Sequence, residues 1–143
     1  MDIRDIPGIK HVCNFWEAPF KANSIDNIYS RHALEHLTLE ESRQTLKKWC
    51  EWLKPERKLE LMVPNLLFHA NQLIGAAKGR HRLGDIRHAI AGFYGWQDGG
   101  SESTHRTGWT MEFLEDELIA AGFRILRWIS NEPTSLHVMA EIR

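Results

Sequence analysis

The sequence predicts an α/β fold in which helices pack on the faces of a largely parallel sheet. Short apolar runs rich in β-branched residues alternate along the chain with segments of helical periodicity. Two further apolar runs near the carboxyl end are joined by a tight turn, which predicts an antiparallel pair of strands at an edge of the sheet. A chain of 143 residues with 43% hydrophobic residues is long enough to form one such domain with a core.

Five strands are expected from the apolar runs. They cover residues 9–15, 25–30, 59–65, 123–129 and 135–142. In an open sheet of this kind, ligands bind outside the carboxyl ends of the parallel strands. The sequence therefore predicts a crevice bordered by residues 14–17, 30–36 and 64–65.

The first long helix has a clear start signal. Thr38 and Glu41 form a capping box, in which each side chain accepts a hydrogen bond from a backbone N–H of the other residue. A helix is therefore expected from Leu39, and it must end before Pro55 because the residue before a proline avoids helical geometry. A second helix is expected over residues 66–78.

The second half of the chain combines one long irregular segment with one well-defined helix. Residues 86–107 are punctuated by glycines, which predicts an irregular segment of the type that forms lids or binding loops. Thr110 is then the expected cap of a helix that Gly122 ends in a left-handed conformation.

Charge and composition restrict the classes of partner. Eighteen Lys and Arg residues against 19 Asp and Glu residues leave a net charge of −1, so charge implies neither a nucleic acid nor an anionic membrane as partner. No window reaches the roughly 18 apolar residues of a membrane helix. Two separate cysteines, Cys13 and Cys50, fit a reducing compartment. We expect a cytoplasmic protein.

The stretch "YSRHALEHL" contains the pattern H-x-x-E-H at His32, Glu35 and His36, which is a zinc signature of one class of metallohydrolase. On a helix the two imidazoles would share one face with Glu35 beside them as a base. A third ligand would come from Glu102, His105 or Glu112. The strand signal before this stretch and the capping box after it place the motif in a turn, which disfavours the zinc hydrolase.

Three longer stretches resemble a known family. "WEAPFKANSIDNIYSRHALEHL", "LKKWCEWLKPERKLELMVPN" and "LEDELIAAGF" are similar, in order and spacing, to the later portion of the class I S-adenosylmethionine-dependent methyltransferases, and most closely to the type 11 group. The resemblance implies a three-layer Rossmann-like methyltransferase sheet, N-terminally truncated, with an antiparallel C-terminal strand pair. Residues 1–143 would then form a single partial domain that lacks the glycine-rich cofactor loop G-x-G-x-G.

The resemblance also implies a cofactor, S-adenosylmethionine, and roles for named residues. The residues expected to bind the cofactor are Asp2, Asn14, Phe15, Ser30, Arg31 and His32. Asn65 would face the methyl acceptor, whose identity the sequence does not reveal.

Aromatic residues and histidines add further candidates. Trp96 and Trp109, with Tyr94, are expected either to form an aromatic wall for the substrate or to pack in an ordinary core. His32 and His105 are the candidate catalytic bases, because the pKa of histidine suits proton transfer near neutral pH. A purely structural role is the alternative for both histidines.

The expected function is methyl transfer from S-adenosylmethionine to an unknown acceptor. The alternative is a non-catalytic, methyltransferase-like binding or assembly module, because the missing loop belongs to the cofactor side. In the family sheet the first strand lies beside the strand at residues 25–30, so its absence leaves an unpaired edge. We expect this edge to pair with another copy of the chain, giving a homo-oligomer, or to be covered by residues 9–15.

Overall fold

The structure of the chain is a computed structural model that describes residues 7, 8, 10, 11, 13–129 and 132–143. Asp2 and Ile9 are among the residues outside this description. The four strands are β1 (Ile25–Arg31), β2 (Leu53–Pro64), β3 (Phe123–Trp128) and β4 (Ser135–Ile142). The four α-helices are α1 (Leu39–Trp52), α2 (Leu66–Leu73), α3 (Asp85–Tyr94) and α4 (Met111–Ala121), with 3₁₀ turns at Leu34–His36 and Ser101–Ser103.

The four strands form one sheet in the order β1-β2-β4-β3. β1 pairs with β2 in parallel, and β4 lies between β2 and β3 and is antiparallel to both. The predicted α/β fold with an antiparallel C-terminal strand pair is confirmed. β1 and β3 are the two edge strands of this sheet.

The helix signals in the sequence place α1 and α4 correctly. Both halves of the capping box at Thr38 and Glu41 are present. The Thr110 side chain accepts a hydrogen bond from the backbone N–H of Phe113, and Gly122 ends α4 with left-handed backbone angles. These signals act within a few residues of the helix ends, and the helix boundaries in the structure follow them.

The core lies between α1, α4 and one face of the sheet. Its strand residues alternate along β2 and β4, and they are Leu59, Leu61, Val63, Leu136, Val138 and Ala140. Leu46 and Trp49 of α1 and Leu114 and Leu118 of α4 pack against them. Fully burying one such side chain contributes about 1.5–3 kcal/mol. This packing holds the carboxyl ends of β1 and β2 in place.

The strand predicted at residues 9–15 is wrong for the residues that can be described. Residues 10, 11 and 13–15 form bends and turns, and β1 pairs only with β2 within the described part of the chain. Within the described part of this run, the Phe15 side chain packs on α1, where its ring lies 6.4 Å from that of Trp49. Because the described residues of this run form no strand, they do not cover the β1 edge by strand pairing.

The second helix and the segment after it also differ from prediction. α2 ends at Leu73, short of residue 78, because the chain turns at Gly75, which has a positive φ of 76°. The segment expected to be irregular contains α3. Gly92 lies inside that helix because a Cβ there would come within 2.3 Å of the His69 ring, so glycine allows α3 to approach α2. No helix in the described part of the chain has the length and apolar character needed to cross a bilayer.

β2 begins at Leu53, earlier than the predicted Leu59. The extra residues include Glu56, whose φ of 63° is left-handed, and the register between β1 and β2 shifts across this region. Glu56 is exposed, so no packing requires its side chain. A left-handed conformation costs an L-residue with a Cβ roughly 1–2 kcal/mol.

We predict that Glu56→Gly raises the free energy of unfolding by about 1 kcal/mol, because glycine adopts this conformation without steric cost. Urea unfolding followed by circular dichroism measures the change. Lys58→Gly is the matched control in the regular part of the same strand, and it should lower stability by about 0.5–1 kcal/mol. Destabilisation by both substitutions would contradict the left-handed assignment at position 56.

Candidate functional site

A crevice with a volume of about 1570 Å³ opens at the carboxyl ends of β1 and β2. Its walls include the three chain segments that were predicted to meet there: Asn14 to Trp16, Ser30 to His36 with the exception of Leu34, and Pro64. Residues of α2, α3 and the loop before α4 complete the far wall. The parallel pairing of β1 with β2 brings these chain ends to one side of the sheet.

The structure brings most of the predicted cofactor residues to this crevice. Asn14, Phe15, Ser30, Arg31 and His32 all line it, whereas Asp2 lies outside the described residues. The Asn14 amide nitrogen donates a hydrogen bond of 2.8 Å to Glu17 Oε2. Phe15 offers an apolar ring at the crevice wall.

Ser30 has an unused hydroxyl group. The residue is 7% exposed, and its Oγ has no hydrogen-bond partner among the residues that the structure describes. Leaving a hydroxyl buried without a partner costs about 1–3 kcal/mol. A polar atom of a bound ligand can supply the missing hydrogen bond.

His32 and Glu35 form a pair at the end of β1. His32 has a left-handed φ of 48°, and its backbone N–H donates to the Met62 carbonyl over 2.9 Å. Its Nδ1 lies 3.2 Å from Oε1 of Glu35, a side chain in a residue that is only 1% exposed. A buried carboxyl group next to an imidazole orients the ring and leaves its Nε2 free.

The turn also excludes the helical form of the zinc motif. Leu34 to His36 form a single 3₁₀ turn, and α1 starts only at Leu39. His32 and His36 therefore do not share the face of one α-helix, which is what the metallohydrolase signature requires.

A loop segment from 68 or more residues away is hydrogen-bonded to this turn. The backbone N–H groups of Arg106 and Thr107 both donate to the Glu35 carbonyl, over 2.8 and 3.1 Å. Thr107 Oγ1 donates to the Leu37 carbonyl over 2.5 Å. These contacts place His105 beside His36, with ring centroids 5.0 Å apart.

The two neighbouring imidazoles are held in the same way. His36 Nδ1 lies 3.2 Å from the Thr104 carbonyl, and His105 Nδ1 lies 3.0 Å from the Gly92 carbonyl. A carbonyl only accepts, so each Nδ1 carries the proton and each Nε2 keeps its lone pair. Burial lowers the pKa of His105, which keeps this ring neutral near pH 7.

A second histidine network in the crevice was missed from sequence. His69 is 3% exposed, and its Nδ1 lies 3.0 Å from Gln72 Oε1. Gln72 Nε2 in turn donates to Asp85 Oδ1 over 2.9 Å, which links α2 to α3. The i, i+3 spacing of His69 and Gln72 on a helix was the available signal. Burial lowers the pKa of His69 and also that of His88, whose ring lies 4.9 Å from it.

The predicted substrate residues lie in different places. Trp96 lines the crevice, with its ring 5.1 Å from that of His81. Trp109 is 1% exposed and stacks on Phe113, so the structure places it in the core and not on the crevice wall. Asn65 caps α2 with its Oδ1 and donates its Nδ2 to the Pro133 carbonyl over 3.0 Å, which occupies both ends of its amide.

Comparison with known proteins starts from the amino-terminal part of the chain, where residues 5–60 match the family described as "Methyltransferase domain". The structure superposes on an S-adenosylmethionine-dependent methyltransferase from Mesorhizobium loti with a TM-score of 0.61 and 15% identity. The match covers 90% of this chain and 67% of that one. The fold is that of a class I S-adenosylmethionine-dependent methyltransferase. The resemblance inferred from the sequence motifs is confirmed.

Two other solved structures show the same methyltransferase fold. The PH0226 protein from Pyrococcus horikoshii matches with a TM-score of 0.66 and 13% identity, over 92% of this chain and 57% of that one. The second is the 1,6-didemethyltoxoflavin-N1-methyltransferase from Burkholderia thailandensis, which was solved with 1,6-didemethyltoxoflavin and S-adenosylhomocysteine. It matches with a TM-score of 0.59 and 16% identity, over 92% of this chain and 49% of that one. The chain thus spans about half to two thirds of the length of these structures. No curated protein sequence matches it significantly.

The lowered histidine pKa values predict a pH dependence of stability. A histidine whose pKa is lower in the folded chain than its ordinary 6.5 binds fewer protons when folded than when unfolded. Its stabilising contribution is therefore complete above pH 6.5 and is lost as the pH falls below that value. We expect the free energy of unfolding to fall from pH 7 toward pH 5, and His69→Gln to reduce this slope. An unchanged slope in the variant, measured by urea unfolding, would contradict the assignment.

Proposed function

We propose that the chain is part of an S-adenosylmethionine-dependent methyltransferase and that its crevice holds the cofactor next to an unidentified methyl acceptor. The observation that carries the proposal is the position of the crevice in a methyltransferase fold, at the carboxyl ends of β1 and β2, with the unpartnered Ser30 hydroxyl in its wall. Support for this cofactor comes from the Burkholderia thailandensis relative, which was solved with S-adenosylhomocysteine.

The residues on the β1 side of the crevice fit part of such a cofactor. Ser30 offers a free hydroxyl, and Phe15 and Trp16 offer apolar surface. Asn14 is engaged with Glu17 through its nitrogen and can still accept a hydrogen bond at its oxygen. The printed sequence contains no G-x-G-x-G turn, so these residues account for one side of the cofactor only.

S-adenosylmethionine, when bound, supplies a methyl group on a positively charged sulfur. The remaining task of the protein is to align the acceptor and, where the acceptor carries a proton, to remove it. Of the two candidate bases, His32 has the carboxyl partner that this role requires, because Glu35 Oε1 holds its Nδ1. We infer that His32 Nε2 accepts the proton and that Glu35 is the positioning residue. The partner of His105 Nδ1 is a backbone carbonyl.

The role of His32 has its own test. Incubation with methyl-labelled S-adenosylmethionine and a panel of small-molecule acceptors measures transfer directly. For an acceptor that loses a proton, His32→Gln should lower kcat by about 10²–10⁴-fold, with a smaller change in KM. Unchanged kcat in the variant would remove His32 from the reaction.

Cofactor binding is tested most directly by calorimetric titration with S-adenosylhomocysteine. We expect a dissociation constant on the order of micromolar for the natural chain. Ser30→Ala, which removes the hydroxyl group, should weaken binding about fivefold, since one hydrogen bond is worth about 1 kcal/mol. Lys58→Ala on the neighbouring strand lies outside the crevice and is the matched control.

A natural chain that is folded by circular dichroism but shows no heat of binding would contradict the proposal. That result would favour a non-catalytic methyltransferase-like module. Equal weakening by Ser30→Ala and Lys58→Ala would show that the Ser30 hydroxyl does not bind the cofactor.

We further propose that the chain self-associates through β1. This edge strand has no partner other than β2 within the described residues, and unpaired backbone groups favour strand addition. Light scattering should then report a dimer or larger species, and hydrogen exchange should show protected amides over residues 25–31. β3 is the internal comparison, because it is the other edge strand of the same sheet. A monomer with rapidly exchanging β1 amides would refute self-association.

A further inference from the structure

We propose that Glu35, His36 and His105 form a binding site for a divalent transition-metal ion of the zinc type. One ligand atom of each residue lies within 4.8 Å of the ligand atoms of the other two. Two of the residues belong to the 3₁₀ turn after β1, and the third lies on the loop segment that is hydrogen-bonded to that turn. All three side chains line the crevice.

The imidazoles are already arranged as metal ligands. The Nδ1 of each ring donates its proton to a backbone carbonyl, that of Thr104 for His36 and that of Gly92 for His105. Histidines that bind metals commonly donate their second ring nitrogen in this way, which fixes the tautomer and the ring orientation. The Nε2 atoms are therefore the available ligand atoms, and no proton has to be moved within the ring before binding.

Glu35 supplies the independent observation that points to a cation. The residue is 1% exposed, and its Oε2 has no hydrogen-bond partner among the residues that the structure describes, although Oε1 is held by His32. A buried carboxylate oxygen without a partner is energetically costly. A metal ion next to Oε2 would remove that cost.

The donor set selects the class of metal. Two imidazole nitrogens and one carboxylate oxygen suit Zn²⁺, whereas Ca²⁺ and Mg²⁺ prefer oxygen ligands alone. Zinc bonds of about 2.0–2.2 Å require the ligand atoms to lie about 3.5 Å apart, so the side chains must close by about 1 Å on binding. Three protein ligands leave a fourth coordination position open.

This site is not the H-x-x-E-H site considered from the sequence. In that motif the ligands are the two histidines at positions 32 and 36, and the glutamate is a base. Here Glu35 is a ligand, His32 holds the opposite oxygen of the same carboxyl group, and His105 comes from a distant loop. The two assignments give opposite expectations for a substitution at position 32, which is a ligand in the motif and not a ligand here.

The test uses the full 143-residue chain after treatment with a chelator. Titration calorimetry with Zn²⁺, together with elemental analysis after dialysis, should give one equivalent with a dissociation constant of about 1 μM or tighter. Co²⁺ should give the intense visible absorption of a low-symmetry site. His105→Gln should weaken Zn²⁺ binding at least about 100-fold, because one of only three protein ligands is lost. His32→Gln should keep one equivalent.

His137→Gln is the matched control, because His137 pairs with Glu60 on the sheet and does not line the crevice. Thermal melting without metal checks that each variant folds. Added Zn²⁺ should raise the melting temperature of the natural chain and leave that of His105→Gln unchanged.

Two results would overturn the proposal. One is the absence of stoichiometric Zn²⁺ binding to the folded natural chain. The other is binding that survives His105→Gln and is lost in His88→Gln, which would assign the metal to the neighbouring rings of His69, His81 and His88. Titration with S-adenosylhomocysteine is a separate measurement, so failure of metal binding and failure of the methyltransferase proposal are distinguishable.

Discussion

The Glu35 carbonyl accepts two backbone hydrogen bonds, from Arg106 and Thr107, and the rest of the site depends on this contact. Each bond contributes only about 0.5–1.5 kcal/mol. Together they bring the loop before α4 onto the turn after β1, which buries the Glu35 side chain and sets His105 against His36. This one carbonyl therefore joins two distant segments of the chain and fixes the shape of one wall of the crevice.

Most of the fold can be predicted from local sequence signals. The cap at Thr38, the cap at Thr110 and the terminator Gly122 act within a few residues, so they work in isolation and in the folded chain alike. The wrong predictions of secondary structure arise where a residue's conformation depends on contacts with residues distant in the sequence. Residues 9–15 have the composition of a strand, but Phe15 packs on α1. Gly92 looks like a helix breaker in the sequence, but in the structure it makes room for the His69 ring.

The candidate site divides along the same line. Residues 30–36 span the end of β1 and the turn after it, so their place at the crevice could be predicted from periodicity and from family resemblance. Which distant residue joins them could not be decided from the sequence, which left Glu102, His105 and Glu112 open, because no pattern links these segments. The structure places His105 beside Glu35 and His36. The aromatic residues told least about the site: Trp96 lines the crevice and Trp109 lies in the core, although both are tryptophans in the same stretch of the chain.

The hairpin of α2 and α3 is built around the missing side chain of Gly92. A glycine inside a helix costs about 0.5–1 kcal/mol relative to alanine, and here it leaves room for the His69 ring, which a Cβ would approach to 2.3 Å. Sliding α3 by one residue along α2 would bring the side chain of Ala91 or Phe93 against that ring. The contact therefore favours one alignment of the two helices, because a shifted alignment would produce a steric clash at the His69 ring.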